Sequence, residues 1–422
     1  MILRVRKSSL SGTIAVPGSK SHTIRGVVAA LQSSGKCILR APLDSEDTRS
    51  ALEAAKLFGA DVAEFPDRWE IGGMNGKLSA PDTVVNMNNS GTGLRMLTSL
   101  AAMQDFPVTF DGDDSLRTRL MTGLFGALEA LGAKIQSSNG HCPFTVCGPL
   151  TGGKAKVDGK SSQFLTSLLF ALPGAQADST LVLDYLNEQP YAEISARWLT
   201  ELGIKFSKQA DNLKWEIPGK QKFPAFDRVI PADFSTACFA LAAGALCGGK
   251  VDILNLDFND AQGDKKVFDF YAQMGCKIIR EAGKCTVCGG NTLHGVTLDL
   301  NSTPDALPVI SATAALIPGE TRLLNVAQAR NKETDRIAAM TEELRKMGAD
   351  IEELSDGMII RGGSLHAAKV DSRNDHRIAM ALAIAGMCLD GETVIEHAEG
   401  IPVSYPGFVA DFKTLGADFI LE

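Results

Sequence analysis

Six short segments of the 422-residue chain place polar or charged side chains just where an apolar run begins: PGSKSHTIR (17–25), NNSGTGLR (88–95), GKSSQFL (159–165), PADFSTA (231–237), TPDALP (303–308) and RNDHRIA (373–379). Ser, Asn and Asp before an apolar run are ordinary helix N-caps, and a cap needs only one such residue. Lys20, Arg25, Arg95 and Arg377 are harder to explain, because a cation in or near a first helical turn opposes the helix dipole unless an anion compensates it. The chemistry that suits this placement is capture of anionic ligands by helix N-termini and side-chain cations together. Two further segments carry charge where second helices are predicted: SLRTRLM with Arg117 and Arg119, and ARNKETDRIA with Arg330, Lys332, Glu333, Asp335 and Arg336. Helical spacing puts Lys332 and Arg336 on one face, and Glu333 beside Arg336. A solvated charged face explains one such segment as well; recurrence at equivalent places favours a shared cationic site. For acid–base work the candidates are Asp305, read as a helix cap, Glu333 among cations, and Lys20 as a proton donor. His376 offers a titrating ring or a further cap.

Other chemistries are disfavoured. GKSS (159–162) resembles the end of a P-loop, but Lys154 stands where that loop needs glycine, and SGTGLR is not a GxGxxG fingerprint. The nine cysteines are scattered, and the one CxxC, Cys285 and Cys288, lies in an alternating stretch read as a short strand, with no second pair at zinc spacing. Free thiols, no metal and no cofactor are expected. A net charge of −8 with a pI near 5.4 gives no basic field for nucleic acid. The longest apolar runs, 237–247 and 378–389, fall short of the roughly 20 residues that span a bilayer. MILRVRKSSLSG lacks a signal-peptide apolar stretch, so a cytoplasmic protein without membrane contact is expected.

The helix starts need a regular scaffold, and the sequence repeats. A helix-like segment ending in Leu, Phe or Met, then Gly, then a β-type segment occurs six times, at Gly59, Gly132, Gly203, Gly275, Gly348 and Gly416, spaced by 73, 71, 72, 73 and 68 residues. Each glycine fits the left-handed position that ends a helix and releases the chain into a strand. An Ala-rich apolar helix runs in phase, as in FALAAGALCGGKVDIL, and the periods close on two-strand pieces such as DRWEIGG and GMIIRGG. The chain therefore reads as α/β, with six βαβαββ units, helices buried inside and sheets outside. Aromatic residues are only 6%, so the core should be aliphatic. The sixth unit reaches Glu422 without its terminal strands, while residues 1–16 supply strands without a unit, so the N-terminal arm should complete it. Two three-unit domains follow, 16–227 and 1–15 with 228–422, joined near Val16–Pro17 and Ile230–Pro231. Helix starts facing across the junction would form a positive cleft able to hinge.

PGSKSHTIR, NSGTGLR, SSQFLTSLL, TPDALP, NKETDRIAAM and NDHRIAMA, in that order over essentially the full length, closely resemble the 5-enolpyruvylshikimate-3-phosphate synthases of the shikimate pathway. The resemblance implies the two-domain, six-repeat fold of enolpyruvyl transferases with the active site in the interdomain cleft. It implies transfer of the enolpyruvyl group of phosphoenolpyruvate to the 5-hydroxyl of shikimate 3-phosphate, releasing phosphate, without metal or cofactor; a monomer is expected. Carried over motif by motif, shikimate 3-phosphate would be held mainly by domain 16–227, by Lys20, Ser21, Arg25, Ser161, Ser162, Gln163 and Tyr191, with Asp305, Gln328 and Lys332 from the other domain. Phosphoenolpyruvate would meet Lys20, Asn89, Gly91, Arg119, Gln163, Arg336 and Arg377. Asp305 would be the base, with Glu333 and Lys20 as proton donors or shuttles. The chain departs from the family pattern at Glu188, where a phosphate-site Ser is usual, at Gln328 for Asn, and at Val403, where many members carry a Lys that binds phosphoenolpyruvate. It also lacks the Pro usual after the arginine aligned as Arg119, leaving Arg117 as the alternative. The sister enzyme acting on UDP-N-acetylglucosamine typically has a Cys where DGDDSLRTR has none, and a catalytically lapsed anion-binding paralogue is the remaining alternative.

Overall fold

The computed structural model describes residues 1–422 and divides into two compact units, Gly18–Pro231 and Met1–Pro17 with Ala232–Glu422. Each is built from three four-stranded sheets. The repeat is plainest in the sheet Val85–Asn86, Val108–Asp111, Phe144–Cys147, Lys134–Ser137, in that spatial order. The first two strands are parallel and bracket a buried helix; the last two form an antiparallel hairpin inserted in reverse order. The same order recurs in the sheet Thr297–Asp299, Gly319–Leu324, Gly357–Gly362, Asp350–Leu354 of the other unit. All six repeat glycines have positive φ, from 72° to 109°, a conformation glycine adopts without steric cost.

Three sheets depart from chain order. Ile2–Arg6 lies between Glu392–Glu396 and Asp418–Leu421, so the N-terminal arm completes the sixth repeat. Gly12–Ala15, which precedes the first buried helix, pairs parallel with Lys250–Leu256. Asp227–Val229, which precedes the fourth, pairs parallel with Cys37–Arg40. The strand 227–229 therefore belongs to the unit 18–231, whereas the expected boundary at 227/228 leaves most of it to the other domain. Composition alone does not show which sheet a short strand at a crossing will join.

The helices Lys20–Gln32, Gly91–Ala101 and Ser162–Ala171 fill one unit, and Phe234–Leu246, Leu307–Leu316 and His376–Gly386 the other. They are apolar or small on nearly every side and buried on nearly every side, as helices covered by both sheets and other helices must be. Strands such as Phe144–Cys147 alternate buried and partly exposed residues, one face on these helices and one outward. The core is not wholly aliphatic: Trp69, Trp198 and Trp215 are fully buried, all in the unit 18–231. Indole N–H groups need partners there, and Trp198 donates to His22 Nδ1 and Trp215 to the Asn212 carbonyl, both at 3.0 Å. No helix is long and apolar enough to cross a membrane.

Candidate active site

In the unit 18–231 the candidate residues gather at the starts of the three buried helices. Lys20 is the first residue of its helix, and its Nζ lies 2.8 Å from Oδ2 of Asp47, a buried carboxylate in the first turn of Glu46–Leu57. A neighbouring helix thus supplies the anion that offsets the cation at this helix start. Arg25, 1% exposed, donates to Ser195 Oγ at 3.0 Å, Thr166 Oγ1 at 3.3 Å and the carbonyls of Ser21 and Tyr191 at 2.9 and 3.0 Å, joining two elements that carry candidate residues. Ser161 caps the helix Ser162–Ala171 by accepting from the Gln163 N–H, and Ser162 donates to Glu188 Oε2 at 3.0 Å. Gln163 accepts from Arg95 Nη1 at 2.6 Å, tying that helix start to the one at Gly91.

At Gly91 two guanidinium groups converge: a Cβ built there would stand 2.7 Å from Arg95 Nη1 and 2.8 Å from Arg119 Nη1. Any side chain would displace them, so glycine is the residue that leaves this helix start open to cations. Arg119 donates to Asn89 Oδ1 at 2.8 Å, and Asn89 to Asp113 Oδ2 at 2.7 Å. Arg117 instead makes a two-pronged pair with Asp111 at 2.7 and 2.9 Å on the surface. The structure thus puts Arg119, not Arg117, beside Gly91. The second helix expected over SLRTRLM is a single turn, Asp114–Arg117, capped by Asp113; Arg119 follows it and the long helix begins at Thr122. Ser19 and Ser90, expected as caps, are buried but donate and accept no cap bond.

The other unit assembles a denser cluster. Asp305 lies within the 3-10 turn Pro304–Ala306 ahead of Leu307–Leu316, and its carboxylate meets Arg336 Nη1 at 2.9 Å, Arg377 Nη2 at 3.3 Å and Lys332 Nζ at 3.6 Å. Arg336, fully buried, also pairs with Glu333 at 2.7 Å and with Asp375 at 2.7 and 3.2 Å. Burial alone would raise the proton affinity of Asp305. Arg377, Lys332 and Arg336 outweigh it and hold the carboxyl far below the usual range. Burial works against the charge of Arg336, but Asp375, Glu333 and Asp305 more than restore it. The cluster does not rest on one helix face, as sequence spacing suggested. Lys332 (φ −89°, ψ −148°) and Glu333 precede the helix Arg336–Lys346, whose N-cap is Asp335; the turn before it folds them back toward Asp305. Gln328 donates to the Asn301 carbonyl at 3.0 Å and His376 is buried at its helix start.

Two participants escaped sequence reasoning. Asp375 was visible only as a cap, which it is, accepting from the Arg377 and Ile378 N–H groups; its second role on Arg336 spans 39 residues. Asp47 looks like any acidic residue in a first turn. Of the family departures, Glu188 is 3% exposed with φ 55°, and Val403 is 7% exposed at the end of the 3-10 segment Ala398–Val403.

Six βαβαββ repeats with cations and carboxylates gathered at helix starts define an α/β class built to hold small anions. The family model described as EPSP synthase (3-phosphoshikimate 1-carboxyvinyltransferase) matches residues 5–412. Proteins named 3-phosphoshikimate 1-carboxyvinyltransferase from Acetivibrio thermocellus and Ruminiclostridium cellulolyticum are 42% and 43% identical over 420 and 418 residues, each alignment covering 99% of both chains. A solved EPSP synthase from Acinetobacter baumannii superposes with a TM-score of 0.84 at 25% identity, covering 100% of both chains. The chain belongs to the EPSP synthase family.

Proposed function

We propose that the chain transfers the enolpyruvyl group of phosphoenolpyruvate to the 5-hydroxyl of shikimate 3-phosphate, releasing inorganic phosphate, as a cytoplasmic monomer serving aromatic amino acid biosynthesis. The observation that carries this reading is the cluster around Asp305, one carboxylate within 3.6 Å of three cations drawn from two segments, Lys332 and Arg336 from one and Arg377 from the other. Addition needs a base for the 5-hydroxyl proton and an acid for the methylene carbon of the donor. Elimination then breaks the bond to phosphate as the new methyl group returns a proton. Asp305 acts as the base, with Glu333 and Lys20 delivering and removing the carbon-bound proton. Arg336, Arg377 and Arg119, with Lys20, Asn89, Gly91 and Gln163, hold the donor. Ser21, Arg25, Ser161, Ser162, Gln163, Tyr191, Gln328 and Lys332 hold the acceptor.

The resting cluster makes Asp305 a weak base, because its proton affinity is suppressed by Arg377, Lys332 and Arg336, of which the two arginines will bind the donor. An anion seated on Arg336 and Arg377 offsets those charges and restores that affinity, so donor binding arms the base. Phosphate release measured with phosphoenolpyruvate and each acceptor in turn tests the reading. Release is expected with shikimate 3-phosphate alone; release with UDP-N-acetylglucosamine, or with neither acceptor, overturns it.

A further inference from the structure

All nine cysteines are free thiols, and two of them meet. Cys247 directly follows the helix Phe234–Leu246, and Cys388 lies just beyond His376–Gly386. Their sulfurs are 3.7 Å apart, in van der Waals contact, although the residues are 141 positions apart in sequence. Both are partly exposed, whereas Cys37, Cys142, Cys238, Cys276 and Cys285 are buried. A disulfide needs the sulfurs to close to about 2.05 Å, so the backbone must give slightly. Gly248 and Gly249 follow Cys247 with φ 75° and 78°; a Cβ added at Gly248 would meet nothing within 4 Å, whereas one at Gly249 would collide with the Leu10 carbonyl oxygen, so the small movement falls to the Cys247 side of the turn and to the side chains. The contact with Cys247, and burial, push the Cys388 thiol up, while the nearby Lys7 ammonium opposes this. Lys7 is itself anchored to Asp390 at 2.8 Å.

We propose that Cys247 and Cys388 form a reversible dithiol–disulfide site that reacts with low-molecular-weight disulfides of the glutathione type. One protein thiolate attacks a sulfur of the small disulfide and expels one small thiolate, leaving a mixed disulfide. The second protein thiolate then attacks the protein-side sulfur and expels the other. Two protein thiols are oxidised, one small disulfide is reduced to two thiols, and no other oxidant is needed. The bond would staple the C-terminal ends of two buried helices and close a long loop, which restricts the unfolded chain more than a short loop does. The charged cluster lies at the opposite ends of these helices, about 16 Å away along an eleven-residue helix, so the staple leaves the catalytic groups in place.

The test uses the full chain incubated with oxidised glutathione, followed by thiol counting, peptide mapping and thermal melting. Titratable thiols should fall from nine to seven, with one cross-linked peptide joining Cys247 and Cys388. The melting temperature should rise by about 5 °C or more, given the loop length, and return on adding dithiothreitol. Cys247→Ser and, independently, Cys388→Ala should abolish both the cross-link and the rise while keeping turnover within about twofold of wild type. Retention of all nine thiols, stable glutathione adducts at Cys247 or Cys388 without a cross-link, a cross-link between other cysteines, or an equal rise in the variants would each overturn the proposal.

Discussion

Replacing Asp305 with asparagine removes one negative charge from a cluster in which Asp305, Glu333 and Asp375 face Lys332, Arg336 and Arg377. Turnover should fall about 10²- to 10⁴-fold, the usual loss when a general base is removed. Affinity for phosphoenolpyruvate should move the opposite way. An anion bound to the same two guanidinium groups sits about 5 to 6 Å from Asp305, where unit charges repel by roughly 3 kcal/mol at an effective dielectric constant near 20. At about 1.4 kcal/mol per decade, and with part of the repulsion screened, Asp305→Asn should tighten donor binding about 10- to 100-fold. The unliganded variant should be less stable by about 3 to 5 kcal/mol, since buried cations lose a partner, and should recover stability when the donor or phosphate is added. Calorimetric titration with phosphoenolpyruvate at low and high salt, paired with single-turnover kinetics, reads both effects. Unchanged or weaker donor binding would refute the argument that Asp305 opposes the donor anion. A turnover number above about a third of wild type would remove Asp305 from the base role.

Val403→Lys must place an ammonium at a position only 7% exposed, so it should lower the melting temperature without tightening phosphoenolpyruvate binding. Tighter binding at unchanged stability would show that the side chain reaches the donor. Glu188→Gln removes a buried carboxylate that takes the Ser162 hydroxyl, and affinity for shikimate 3-phosphate should rise about tenfold by titration as a like charge leaves the phosphate site. A loss of affinity would show that Glu188 accepts a hydrogen bond from the acceptor. Asp264 is pushed up to about 7 by burial and by the charge of Asp305. Its neutral form favours the fold, so its contribution is complete below about pH 4 and is lost as pH rises toward 7, a swing of up to about 4 kcal/mol. Asp264→Asn should therefore gain in melting temperature over wild type as pH goes from 5 to 8; a constant difference across that range would disprove the linkage.

The repeat was legible because one conformational demand recurs at a fixed interval. A left-handed helix terminus calls for glycine, and six of them mark the six repeats, five ahead of a hairpin and Gly416 ahead of the strand that pairs with the N-terminal arm. The candidate cations were legible because they stand where a helix dipole disfavours them. Pairings between distant segments were not: Lys20 with Asp47, Arg95 with Gln163 and Arg336 with Asp375 depend on how repeats pack, which no local pattern encodes. The expected helix through Lys332 and Arg336 failed for a readable reason, since Asp335 is the stronger N-cap signal and starts the helix one residue later. Ser19 and Ser90 are the reverse case, correct cap types at helix starts whose hydroxyls do not cap.

Because the N-terminal arm belongs to the sheet built by the last residues of the chain, the two units become complete at different times as the chain leaves the ribosome. Every strand of the unit 18–231 lies in one continuous stretch, so it can finish folding once residue 231 has emerged. The other unit cannot, since Ile2–Arg6 emerges early but needs 392–396 and 418–421 to flank it. At roughly 5 to 20 residues per second the arm waits on the order of tens of seconds as an unpaired strand, the kind of edge that invites pairing with other chains. Arg4 and Arg6, which later pair with Glu392, charge that strand during the wait and discourage such pairing.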